Sequence, residues 1–224
     1  MSFIDIERYL GKFFLGIRIA LKITARRVEM GNPAMSVPIA FRFDALKTVQ
    51  VAALFLKLHG GTMKFLGLLK LLYMADRLAF KKIDQPITGD KYYSMDKGPV
   101  LSTVYDFIKD NKRHETDVIW KEYISTRNNS SKHEVKLLKD PGVDEFSDEE
   151  EEIIKEVYEK WGKCDRFELV NLTHEFPEWE FPNGGAIPIN VANILKNVGK
   201  TQEEIDYIEK IAAREMYLDR LLNE

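Results

Sequence analysis

Lys70-Leu71-Leu72-Tyr73-Met74-Ala75-Asp76-Arg77, followed after a polar loop by Gly98-Pro99-Val100, decides how this 224-residue chain is read. Phe65, Leu68, Leu69, Leu72, Tyr73 and Leu78 share one broad face at helical spacing, which predicts a buried helix to about Phe80. Gly98-Pro99-Val100 reads as a turn opening a second helix, because proline has a preset φ and no N–H to lose at a first helical position. Lys70 and Asp76 are charged residues on an otherwise apolar helix, a costly arrangement unless they are exposed or paired. They lie on different faces, so each is expected to find its own partner, an ion pair to another helix at the domain surface.

Upstream, Leu46, Val49, Val51, Ala52, Ala53, Phe55, Leu56 and Leu58 predict another buried helix, stopped by His59-Gly60-Gly61. Thr62 is then placed to cap the central helix. Downstream, residues 84–97 read as a polar loop carrying Tyr92-Tyr93. Between Asp117 and Leu138, β-branched and aromatic residues flank Asn128-Asn129-Ser130-Ser131 and predict a small β-hairpin. Ser147 with Glu150, Asp165 with Glu168 and Thr201 with Glu204 are capping boxes that open three helices. Gly162 closes the first of these, the second runs through His174, and the last carries Ile205, Ile208, Ala212, Met216 and Leu222 on one stripe. Ile187-Pro188 leads into a further helix ended by Gly199. The fold class expected is mainly α: a compact helical domain with a small β-hairpin element, plus an N-terminal amphipathic helix.

That N-terminal helix comes from Phe3, Ile4, Leu10, Phe13, Phe14, Ile17, Ala20 and Leu21, punctuated by Arg8, Lys12, Arg18 and Lys22. The charges rule out an uncharged stretch of ~20 residues, so no membrane span is expected, and they interrupt the core of any signal peptide. Asn32-Pro33 and Pro38 mark a linker, giving an extension at residues 1–40 and a domain at residues 41–224. Met35 reads as an alternative start.

A formal net charge of −3 offers no global attraction to nucleic acid, and no partner of that kind is expected. The single cysteine, Cys164, excludes an intrachain disulfide and fits a cytoplasmic location. His59, His114, His133 and His174 are scattered without ligand spacing, so no metal is expected. Phosphate-cradling and dinucleotide glycine motifs are absent, so no cofactor is expected either. Cys164 with His174 is the one pair that could serve nucleophilic catalysis, against the plainer reading of a small boundary residue and a histidine packed near Trp179. Tyr92, Tyr93, Phe176, Trp179 and Phe181 are large rings in loop stretches, the kind that anchor interfaces when solvent reaches them.

The ordered set Lys70-Leu71-Leu72-Tyr73, Gly98-Pro99-Val100, Phe146-Ser147-Asp148-Glu149-Glu150, then Leu172-Thr173-His174 and Trp179 resembles the SocA-like Panacea domain of bacterial and phage antitoxins, over residues 41–200. The resemblance implies a non-enzymatic antitoxin that neutralises a cognate protein toxin by direct binding. The alternatives are an adaptor that delivers the toxin to a protease and, from another class, a Cys164/His174 hydrolase. Lys70, Leu71, Leu72, Tyr73, Gly98, Pro99, Val100, His174 and Trp179 carry over as markers of the domain. The five loop rings are the candidate toxin contacts, and the oligomeric state is left open.

Overall fold

A computed structural model describes residues 38–110, 116–125 and 133–223. The chain divides into two units, 1–37 and 38–224. The expected N-terminal helix, His114 and the Asn128–Ser131 turn lie outside the described residues. The described part is mainly helical, with α1 Ala45–Leu58, α2 Phe65–Ile83, α3 Ser102–Lys109, α4 Asp117–Tyr123, α5 Asp148–Trp161, α6 Arg166–His174, α7 Val191–Asn197 and α8 Gln202–Asn223. Its strands are β1 Thr62–Lys64, β2 Tyr92–Met95, β3 Gly98–Leu101, β4 Glu134–Lys136 and β5 Ile187–Ile189. β1 pairs antiparallel with β4, and a second antiparallel sheet has the order β3-β2-β5.

Helix α2 is the axis. Leu66 through Asp76 are all buried, and α1, α5, α6, α7 and β3 pack around the helix. A helix enclosed on every side has no polar face for its charges. Lys70 and Asp76 are therefore both fully buried, and neither makes the expected ion pair. Asp76 instead ties down the loop after α2. It accepts the backbone N–H groups of Ile87 (2.9 Å) and Thr88 (3.0 Å), the Thr88 hydroxyl, and the Tyr92 hydroxyl at 2.8 Å. Burial pushes the Asp76 carboxyl up to about 6, against the pull of these donors toward the ionised form. A neighbouring acid does similar work: Asp90 accepts from the N–H groups of Thr103 and Val104, capping α3 from a distance. Helix α3 has no side-chain cap of its own.

The three capping boxes form at Ser147, Asp165 and Thr201, and α1 stops at His59. Other local expectations fail, each for a tertiary reason. Thr62 belongs to β1, and the first amide of α2, Phe65 N, donates to His133 O (2.9 Å). Gly98-Pro99-Val100 is strand β3, and the helix begins later, at Ser102. β3 is an edge strand, where proline's missing N–H leaves no gap in the sheet. The hairpin expected over 117–138 is also displaced. Asp117 and Trp120 are buried one turn apart on α4, so the first arm is a helix as far as Tyr123, Ile124 is extended, and β4 pairs with β1. The two arms still meet, at the Ile124–Leu137 bridge and through Ser125 N donating to Lys136 O (2.9 Å) and Leu138 N donating to Tyr123 O (2.7 Å). The hairpin of this fold is β2–β3, turning through Asp96-Lys97 within what read as a polar loop and a helix start. On α8, Ile205, Ile208 and Ala212 are buried as expected, whereas Leu222 projects into solvent. No helix among the described residues is long and apolar enough to cross a membrane.

Replacing Asp90 with alanine leaves the first amides of α3 without their acceptor. The expected cost is about 1–2 kcal/mol of stability in urea titrations; a loss within error would show that α3 is capped by something else.

Candidate functional site

The marker residues, scattered over more than a hundred positions of sequence, meet where α2, the β2–β3 hairpin and the end of α6 touch. Lys70 extends from α2 under the hairpin, and its Nζ donates to Pro99 O at 2.7 Å. Gly98 sits against the same amine with φ +85, in the left-handed region that favours glycine. A Cβ there would stand 2.7 Å from Thr173 Oγ1, 2.8 Å from Lys70 Nζ and 3.3 Å from His174 Cδ2. The hairpin therefore closes onto α2 and α6 only because residue 98 has no side chain. Val100 and Leu101 complete the strand as buried core.

His174, the last residue of α6, lies flat against Trp179, with ring centroids 3.9 Å apart at 14°. The imidazole is hydrogen-bonded to the backbone of Asp96, and the Trp179 Nε1 donates to Met95 O at 3.1 Å. Two stacked rings thus clamp the turn of the hairpin. Burial, and then the charge on Lys70, lower the His174 pKa, which favours the neutral ring. Lys70 itself is pulled down to about 7 by burial.

A second knot adjoins the first, around Glu178, whose importance the sequence reading missed. Its carboxylate, fully buried, accepts from Tyr73 Oη (3.0 Å), Arg77 Nε (2.7 Å) and Asn197 Nδ2 (3.0 Å). Burial and then the Glu178 charge raise the Tyr73 pKa, keeping the phenol a donor. Phe176 stacks on Tyr73, and the Arg77 guanidinium lies 4.2 Å from the centre of its ring. The available signal was Tyr73 and Arg77, one helical turn apart and both suited to a carboxylate.

The candidate contact rings separate accordingly. Tyr92 is not a surface residue: it is buried between Tyr73 and Phe80 with its hydroxyl on Asp76. Phe176 and Trp179 are half-buried parts of the two knots, and Tyr93 is half-buried on the outer face of β2. Phe181 is 63% exposed and meets Trp179 edge-on. Cys164 and His174 do not pair, since they flank opposite ends of α6, a nine-residue helix about 13 Å long. Among the described residues no three His, Cys, Asp or Glu side chains converge as a metal site.

Beside the clamped turn lies a groove of about 410 Å³, formed by α2, α3, the start of α6 and the Asp96-Lys97 turn. Gly184 and Gly185 border it, held by Gly184 N donating to Asp96 Oδ1 at 2.9 Å. Residues from 65 to 185 contribute, so no local stretch announced it.

Two substitutions test the junction. Gly98→Ala forces a strained φ and a clash with Lys70 and Thr173, and is expected to cost about 2–4 kcal/mol in denaturant titration; a near-neutral result would contradict the packing. Lys70→Met tests the amine by its pH signature. The folded chain releases the Lys70 proton near pH 7 whereas the unfolded chain keeps it to about 10.5, so stability rises with pH across that window. Relative to Lys70→Met, wild type should gain about 2 kcal/mol between pH 7 and pH 9. Parallel pH dependences of the two proteins would place the amine in water.

A protein-family model, antitoxin SocA-like, Panacea domain, matches residues 68–180. No curated protein and no solved structure matches the chain. The matched span opens two residues before Lys70 and closes just past Trp179, so it takes in the whole junction between α2, the hairpin and α6. The chain belongs to the SocA-like antitoxin family, with its Panacea domain at residues 68–180.

Proposed function

We propose that this chain is an antitoxin that neutralises a protein toxin by direct, non-covalent contact, using the face formed by the Asp96-Lys97 turn, segment 179–185 and the adjoining groove. The observation that carries this reading is the convergence of the family's marker residues beneath that turn. They are buried or half-buried, and their contacts are spent on holding backbone in place. The markers therefore serve as the seat of a surface, while the surface residues are free to differ with the toxin. Phe181, exposed and edge-on to the half-buried Trp179, is the principal contact ring.

Inhibition in this account is occlusion. A rigid face covers the toxin's active site or locks its conformation, burying roughly 1,200–2,000 Å² in total. A preformed seat suits that task, because binding then orders few side chains and loses little affinity to entropy. No bond is made by the chain's own side chains, and Cys164, remote from His174, has no part in protection. We place the encounter in the cytoplasm.

The experiment is co-expression with the product of the adjoining gene, reading growth and co-purification together. Wild type should restore growth and co-purify with that product. Phe181→Asp should lose both while keeping its thermal midpoint, and Cys164→Ala should keep both. Growth rescue without physical association, or dependence on Cys164, would overturn the reading.

A further inference from the structure

Helix α8 has two apolar faces, and only one of them is covered. Ile205, Ile208 and Ala212 are buried. On the other side Tyr207, Ile211, Arg214, Leu218 and Leu221 follow one another at spacings of four, three, four and three, the heptad rhythm by which one helix lies along another. Tyr207 is 64% exposed, Leu218 45% and Leu221 52%, and Leu222 beside them is 85% exposed. Five of the eleven exposed large hydrophobic side chains among the described residues are on this one helix, so they form a patch and not the usual scatter. Two recesses flank the stripe: one of about 100 Å³ at Tyr207 and Ile211, backed by Phe41 and Ile83, and one of about 330 Å³ at Leu218 and Leu222, backed by Phe41 and Met216.

The charges in the middle of the stripe indicate what covers it. Arg214 is exposed and makes no ion pair among the described residues. Its neighbours one turn away on its own helix are Lys210, Ile211, Tyr217 and Leu218, none of them an acid. Glu215, next to it and also exposed, makes no ion pair among the described residues either.

We propose that the outer stripe of α8 is the interface of a two-fold dimer, in which the same stripe of a second copy of this chain packs against it antiparallel. A two-fold contact requires a self-complementary surface, and the stripe is one. With Arg214 set opposite the partner subunit's Leu218, each Arg214 comes within one turn of the partner subunit's Glu215, and Ile211 faces the partner subunit's Leu221. A parallel pairing would set the two Arg214 charges against each other. The stripe from Tyr207 to Leu221 is ~21 Å long at the helical rise. That is short for an obligate dimer, so the two copies exchange reversibly. This inference is independent of the antitoxin reading. The groove beside the Asp96-Lys97 turn has no residue of α8 in its lining, so a dimer carries that groove twice.

The test is sedimentation velocity of the purified full-length chain over a concentration series. The variants are Leu218→Asp, Arg214→Glu and Glu215→Arg, with Lys160→Glu on α5 as a surface control, each checked for an unchanged thermal midpoint. Wild type and the control should pass from monomer to dimer as concentration rises. Leu218→Asp should raise the dissociation constant about thirtyfold or more. Arg214→Glu and Glu215→Arg alone should each raise it about tenfold, whereas an equal mixture of the two should associate as wild type does, because each reversed charge then meets an opposite one. A wild type that stays monomeric up to its solubility limit, Leu218→Asp association within about threefold of wild type, or a mixture no better than its parts would overturn the proposal. So would a monomeric wild type that binds the product of the adjoining gene with an affinity lost in Leu218→Asp, since the stripe would then belong to that protein.

Discussion

A single buried amine organises this domain. Lys70 carries its Nζ through the core to the carbonyl of Pro99, and the hairpin, the glycine turn and the end of α6 are arranged around that contact. Burying an amine is costly, and the cost is met by releasing its proton near neutrality and by giving the remaining N–H a strong acceptor. Proline supplies that acceptor well. It cannot donate to the sheet, so it is confined to the edge, and there its carbonyl is free to turn inward. Gly98 follows from the same constraint, since a side chain at that position would collide with the amine.

Around this contact the acids of the central region act as backbone organisers. Asp76 gathers the loop after α2, Asp90 starts α3, and Glu178 binds α2 to the segment leading to α7. Each takes several donors, so its buried oxygens are not left without hydrogen-bond partners. The outcome is a surface turn and an adjacent groove held from below by polar bonds and stacked rings. A protein that works by covering another protein gains from such rigidity, because little freedom remains to be lost on association.

What could be read in the sequence and what could not divides along physical lines. Helix ends set by local bonds were legible: Ser147, Asp165 and Thr201 bond to residues three positions away, and at the end of α1 His59 N–H and Gly61 N–H bond back to Phe55 O and Leu56 O. Where the deciding partner is distant, local rules misled. Thr62 looked like a cap, but the α2 amide goes to His133; Pro99 looked like a helix start, but Asp90 caps α3 three residues later. The β-branched content of 117–123 gave way to a helix that buries Asp117 and Trp120 one turn apart. The marker residues were recognisable as an ordered set, yet nothing in their order revealed that they meet. Lys70 and Asp76 were expected to form ion pairs because charge was visible and the neutral acceptor and donors were not. The groove, assembled from stretches far apart in the chain, had no linear signature at all.

The most direct measurement of the central claim is amide hydrogen exchange, residue by residue, in wild type and Lys70→Met under conditions where both are folded. If the buried amine holds the hairpin in place, amides of β2 and β3 should exchange about tenfold faster or more in the variant, while those of α1 and α5 keep their wild-type protection. Equal protection across β2 and β3 in the two proteins would contradict the account, because the hairpin would then be seated without the contact on which everything else has been made to depend.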